Sequence, residues 1–200
     1  TNTPRLSERR LADDKFAEGL DLYRQARVVE AVARWREVSV LAPGNLKVRY
    51  WLRRANNDLA EEHFRRGQDL YGQRRLRESL DQFYSAFARN SRYPRLESVI
   101  AQVEAEYQNE EAGVRLQEAL GLYGKGDLEG TAGLLKKVLE LLPGNGQALR
   151  LYAQVRAEIA DKAVADAQRL YGQKDFAGAV DSWRRAASWG YDATSAQSQV

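Results

Sequence analysis

A Leu-Tyr pair ahead of a short polar turn recurs at 22–23, 70–71, 122–123 and 170–171, with spacings of 48, 52 and 48 residues. The second and fourth copies, Gln68-Asp69-Leu70-Tyr71-Gly72-Gln73 and Gln168-Arg169-Leu170-Tyr171-Gly172-Gln173, stand 100 residues apart, and Pro43-Gly44-Asn45 returns at the same offset as Pro143-Gly144-Asn145. Self-similarity at this period marks a stack of supersecondary units, none of which buries its apolar face without a neighbour. The chain reads as a tandem duplication, residues 1–100 and 101–200, each half holding two helical units of one continuous solenoid.

Between these punctuation marks the apolar period is helical. Val28, Val32, Trp35 and Val38 recur three or four residues apart, which predicts one buried face on a helix over 28–41, closed by Pro43-Gly44. The same reasoning predicts helices over 8–23 (capped by Ser7), 46–71, 76–89, 95–123, 128–142, 147–171 and 176–188. Short helices therefore alternate with long ones. Gly19 and Gly67 fall where a small residue lets a second helix approach, and Phe176, Ala179, Val180, Trp183 and Ala186 share the inward face of the last helix. Gln108-Asn109-Glu110-Glu111, followed by Gly113, is the weakest stretch of its helix and the place for a kink or break. Residues 189–200 lose the pattern and read as a frayed tail. No β-branched run alternates, so strands are not expected. The expected fold class is all-α, a tandem helical-hairpin stack.

Composition narrows the chemistry. Zero cysteines exclude disulfides, thiol catalysis and cysteine zinc sites. No run of 18 apolar residues spans a bilayer, and no signal peptide pattern is present. The lack of any methionine predicts a processed or excised fragment, with a periplasmic or cell-envelope location favoured over the cytoplasm. A net charge of +3 is too small to argue for nucleic acid. It is unevenly spread: residues 1–100 hold 20 Lys/Arg against 14 Asp/Glu, and residues 101–200 hold 11 against 14.

Gly19, Ala31, Trp35 and Pro43 stand at small, small, aromatic and proline positions whose spacing resembles the tetratricopeptide repeat. The fourth unit offers Ala167, Tyr171, Phe176, Ala179, Trp183 and Ala186. The second offers Gly67, Phe83 and Ala86, with Ser79 and Ser91 at the alanine and proline positions. The third offers Ala119, Gly126, Leu135, Val138 and Pro143, with Thr131 at the alanine position. The likeness covers most of residues 15–190, but the family's unit is about 34 residues. The roughly 14 extra residues, about four turns, are expected inside the long helices. The resemblance implies a right-handed stack of hairpins that works as a protein-interaction scaffold. Tyr23, Tyr71, Tyr123 and Tyr171 are expected to wedge into the joints between units, so that losing Tyr71 or Tyr171 loosens a joint.

Catalytic signals are weak. His63 is the only histidine, and a packed histidine is preferred to a metal ligand or general base. Gly124-Lys125-Gly126-Asp127 lacks the spacing of a phosphate loop and follows no strand. Asp13-Asp14 and Glu110-Glu111 are adjacent on helices and diverge. Ser79, Ser85 and Ser182 sit in no nucleophile elbow. No enzyme activity, cofactor, metal or small-molecule substrate is expected. The sharpest surface feature is Arg53, Arg54, Arg65, Arg66, Arg74, Arg75 and Arg77. It reads as a ridge for an acidic protein, as a phosphate contact to nucleic acid or anionic lipid, or as a solvated face. Arginine outnumbers lysine 24 to 7, which suits planar carboxylates, and the aromatics lie at core spacing rather than among the arginines as stacking platforms. The expectation is a bacterial, non-enzymatic protein-interaction or scaffold module with a protein partner, nucleic acid and membrane being disfavoured. The rival is a structural spacer or self-associating element of a larger cell-envelope or filamentous assembly.

Overall fold

A computed structural model describes residues 6–191. It contains α1 Leu6–Arg24, α2 Val28–Leu41, α3 Leu46–Gly72, α4 Leu76–Arg89, α5 Leu96–Gly124, α6 Leu128–Leu141, α7 Gly146–Gly172 and α8 Phe176–Ser188, with no strand among the described residues. The chain is an all-α array of helical hairpins in which α1 pairs with α2, α3 with α4, and α7 with α8. It divides into two compact units, Thr1–Tyr107 and Gln108–Val200.

The first unit holds two cores. Ala12, Ala31, Val32, Trp35 and Val38 of the first hairpin close against Val48, Ala55 and Leu59 of α3. Leu76, Leu80, Phe83 and Ala86 of α4 close against Ala60 of α3 and against Leu96, Ile100 and Val103 of α5. The second unit repeats the scheme: Ala112, Leu116 and Ala119 of α5, and Leu128, Ala132, Leu135 and Val138 of α6, meet Ala148, Val155 and Ile159 of α7. A long helix thus seals one hairpin with its first half and opens the next with its second. That division of labour explains its length.

The turns are built alike. In each, the residue three after the tyrosine takes a left-handed conformation: Ala26, Arg74, Gly126 and Lys174, at φ from 60° to 79°. The Leu22, Leu70, Leu122 and Leu170 carbonyls accept from Arg27, Arg75, Asp127 and Asp175 N–H at 2.9–3.1 Å, and the tyrosine carbonyls accept from the left-handed residue at 2.9–3.0 Å. These are the bonds that close a helix C-terminus. The Leu-Tyr pair recurs because its two carbonyls are where the helix ends. On the other side of the hairpins, Asn45 and Asn145 cap α3 and α7 by accepting from Val48 N–H (3.2 Å) and Ala148 N–H (2.9 Å).

Several expectations are corrected. Ser7 lies inside α1, which already runs from Leu6, so it is not the cap of a helix starting at Glu8. Residues 108–113 do not break the helix: α5 is continuous from Leu96 to Gly124. Gly113 is exposed with open space around it, so it imposes no close contact there. The frayed reading fails at Trp189, which packs on the core of the second unit, with its carbonyl accepting from Arg156 Nε at 3.3 Å. The rest of that tail, residues 192–200, lies outside the described residues.

Candidate interaction surfaces

Each covered hairpin carries the same polar latch. The Tyr71 hydroxyl donates to Glu106 Oε1 at 2.6 Å, and Gln102 Nε2 donates to the same hydroxyl at 3.1 Å. Tyr123 repeats this with Glu158 at 2.6 Å and Gln154 at 2.7 Å. Tyr23 donates to Asp58 and accepts from Arg54 Nε at 3.3 Å. In all three the donor lies 31 residues, and the carboxylate 35 residues, after the tyrosine. The phenol holds Glu106 and Glu158 below the usual carboxylate range, helped by the two glutamines, and each carboxylate pushes its tyrosine up. Tyr23 is raised first by burial and then by Asp58. The signal was in the sequence, since the separations of 31 and 35 stay fixed while the repeat period changes from 48 to 52.

The aromatic positions show why small residues stand opposite them. A Cβ on Gly19 would fall 2.7 Å from Trp35 Cδ1, and one on Gly67 would fall 2.6 Å from Phe83 Cε1. Ala31, Trp35 and Phe83 are fully buried. Ser79 and Thr131, the polar substitutes at the alanine position, are buried too. Ser79 Oγ donates to the Gly67 carbonyl at 2.8 Å, and Thr131 Oγ1 to the Asp127 carbonyl at 2.6 Å. Pro43 and Pro143 are exposed in the turns after α2 and α6.

In the last hairpin only the alanines stay inside. Ala179 and Ala186 are fully buried, but Tyr171, Phe176, Val180 and Trp183 are 56%, 57%, 42% and 39% exposed. The wedged Tyr171 and the inward Phe176, Val180 and Trp183 expected from the sequence are therefore corrected. The covering half of a long helix, which hides the equivalent positions of the other three hairpins, has no counterpart among the described residues. Tyr171 rests edge-on against Phe176 at 5.4 Å between centroids and tilted against Trp183 at 5.9 Å.

The arginines do not gather into one ridge. At about 100° per residue, Arg54 and Arg65 share a stripe of α3, while Arg53 and Arg66 lie about 100° to either side. All seven are exposed. Arg65 and Arg66 pair with Glu61 and Glu62 one turn earlier on the same helix. Arg74 reaches Glu106 at 3.0 Å. Arg75 sits where Asp127 and Asp175 cap α6 and α8, and instead clasps Glu78 at 2.8 Å through Nε, as Arg27 clasps Glu30 at 2.7 Å. Arg54 bonds the hydroxyls of Tyr23 and Tyr50 and lies 5.7 Å from the centre of the Trp51 ring. Arg53 and Arg77 make no hydrogen bond or ion pair among the described residues.

His63 Nδ1 lies 2.9 Å from Gln82 Oε1, which ties α3 to α4. No group of three or more His, Asp or Glu side chains is arranged to hold a metal ion among the described residues, and no helix there is long and apolar enough to cross a membrane. No family model matches the chain. No curated protein matches it either. Among solved structures, a tetratricopeptide repeat protein from Parabacteroides merdae aligns over 94% of this chain and 97% of its own, at 10% identity and a TM-score of 0.23. The repeat character of the chain rests on its own helices and latches.

Proposed function

We propose that the chain is a protein-interaction module of tetratricopeptide-like type that binds an acidic protein surface. One observation carries this reading. The hairpins use their inner faces against one another, and the outer faces of α3 and α4, with the turn between them, present seven exposed arginines, of which four already hold a glutamate. An arginine paired on its own helix gives up that pair on binding and gains little. Arg53, Arg77 and the tyrosine-bound Arg54 are the side chains whose charge is available to a partner's carboxylates. Charge reversal at Arg53 and Arg77 in the full chain tests this, with proteins captured from the native source identified by mass spectrometry. A partner lost by the double Arg→Glu variant and retained by Arg65→Glu supports the reading, and a capture profile the same for all three chains refutes it.

The second reading, a spacer, is favoured by the shared helices: α3, α5 and α7 are 27, 29 and 27 residues long, so each links two hairpins without a loop. Self-association of the full chain that does not depend on the arginines favours it.

A further inference from the structure

We infer that the α4–α5 turn and the first half of α3 form a docking face for an acidic peptide segment with an apolar side chain among its carboxylates, a proposal that rests on reading the chain as a module for acidic partners.

Two stretches without acidic residues meet here. Residues 46–57 hold Lys47, Arg49, Arg53 and Arg54, residues 82–96 hold Arg89, Arg92 and Arg95, and neither holds an aspartate or glutamate. Asn90 Nδ2 donates to Asn57 Oδ1 at 2.8 Å and ties the two stretches together. Arg49, Arg53, Arg89, Arg92 and Arg95 form no ion pair among the described residues, unlike Arg65, Arg66 and Arg75. No internal pair has to break before these five meet a partner's carboxylates, and cations gathered without acids build the local potential that draws an acidic segment in.

The turn departs from its counterparts where the backbone does not require it. At the same distance from the preceding tyrosine, Pro43-Gly44-Asn45 and Pro143-Gly144-Asn145 give way to Ser91-Arg92-Tyr93. All three turns close alike: Asn45, Tyr93 and Asn145 N–H donate to the Ala42, Asn90 and Leu142 carbonyls at 3.0, 3.1 and 3.0 Å. Arg95 is left-handed, at φ 63°, a conformation that glycine adopts without steric cost. A turn that replaces its glycine by arginine, and places a second arginine in left-handed backbone, is built for the surface it presents.

Arg92 and Arg95 also line a cleft of about 620 Å³, together with Asn57, Phe64, Gln68 and Tyr93. The one carboxylate in its lining, Glu61, is already held by Arg65. Phe64 and Tyr93 lean on the core of the second hairpin, 5.1 Å apart between centroids and tilted at 43°. They give the cleft an apolar wall but not the flat platform on which bases stack. The cleft therefore takes an apolar side chain, and the two arginine forks take the carboxylates on either side of it.

The test uses the full chain and a fluorescein-labelled peptide of glutamates around a single phenylalanine. Fluorescence anisotropy should show saturable binding that Arg92→Glu weakens at least tenfold. Arg95→Gly, which removes the charge and suits the left-handed backbone, should weaken it several-fold with an unchanged far-UV spectrum. Arg65→Glu, and Arg77→Glu at the other end of α4, should change it less than twofold. Alanine in place of the peptide's phenylalanine should weaken binding several-fold, and Tyr93→Ala in the chain should shrink that difference. Absence of binding, or equal binding by the parent, Arg92→Glu and Arg95→Gly chains, overturns the inference. Peptide binding that falls with Arg77→Glu alone also overturns it while keeping an acidic partner at another surface, so the two readings fail separately. Tighter binding of a single-stranded oligonucleotide that Arg92→Glu abolishes overturns it too, because the face then belongs to nucleic acid.

Discussion

Trp35 and Trp183 occupy the same place in the first and last hairpins, 12 residues after the tyrosine, yet one is fully buried and the other 39% exposed. Trp35 lies among Phe16, Tyr23 and Trp51 at 6.4, 5.8 and 5.7 Å between centroids, whereas among the described residues Trp183 has only Tyr171 at 5.9 Å. The hairpin helices supply Phe16 and Tyr23, and the third ring, Trp51, comes from α3. A helical hairpin thus makes only part of its own core, and the rest is delivered by the following helix, as the nearest-neighbour logic of repeat arrays requires. What decides whether an aromatic side chain here is core or surface is its neighbour in the array rather than its place in the repeat.

The sharpest way to break this comparison is to truncate both rings. Trp35→Ala removes a fully enclosed indole and should cost about 3–5 kcal/mol. Trp183→Ala, already half in solvent, should cost less than half as much. Urea unfolding followed by far-UV circular dichroism measures both. Equal losses would mean that Trp183 is as enclosed as Trp35 in solution, and the contrast between the hairpins would fall.

A smaller effect is expected at the helix crossing. Gly67 is buried against Phe83, with no room for a methyl group. The equivalent residues are Ala119 and Ala167, and there the opposed side chains are Leu135, smaller than a phenyl ring, and Trp183, which is partly exposed. Glycine thus stands where a ring is pressed fully into the crossing. Gly67→Ala should destabilise by about 1–2 kcal/mol, because the overpacking cost of roughly 1–3 kcal/mol exceeds the propensity gained on replacing glycine. A gain in stability would show that the crossing relaxes freely.

The helices were legible because their boundaries are written in local chemistry. Val28–Leu41, Leu76–Arg89 and Phe176–Ser188 are bounded as the apolar period and breakers predict. The expected break near Gly113 did not materialise, because an exposed glycine lowers propensity without adding a hydrogen-bonding alternative to the helix. The exposure of Trp183 was not legible, since periodicity states which side chains share a face and not whether anything covers it. The latch was visible only to a count made across units. Tyr71 and Glu106 are 35 residues apart, beyond the reach of any motif within one helix. The arginine pairings are local: Arg65, Arg66 and Arg75 each hold a glutamate three or four residues away, a spacing that the sequence displays.

The subtlest difference between covered and uncovered hairpins should appear as a pH dependence. Glu106 and Glu158 are depressed, chiefly by the phenol that donates to each, so they contribute stability that is present above the unfolded glutamate value of about 4.3 and is lost as the pH falls through the folded value. Tyr71 and Tyr123 are raised by the same bonds, so their contribution is present below about pH 10 and disappears as the pH rises through the folded value. A Glu106→Gln, Glu158→Gln double variant keeps an acceptor for each phenol but removes the titration. Its urea midpoint should fall less steeply than the parent's below about pH 4.3. It should not become flat, because Glu30, Glu37 and Glu78 are depressed by Arg27, Lys15 and Arg75 and titrate in both chains. The uncovered hairpin has no such latch, because the Tyr171 hydroxyl engages no carboxylate among the described residues. If the double variant loses stability in acid as steeply as the parent, the latches do not couple to folding, and apolar burial alone holds the covered hairpins together.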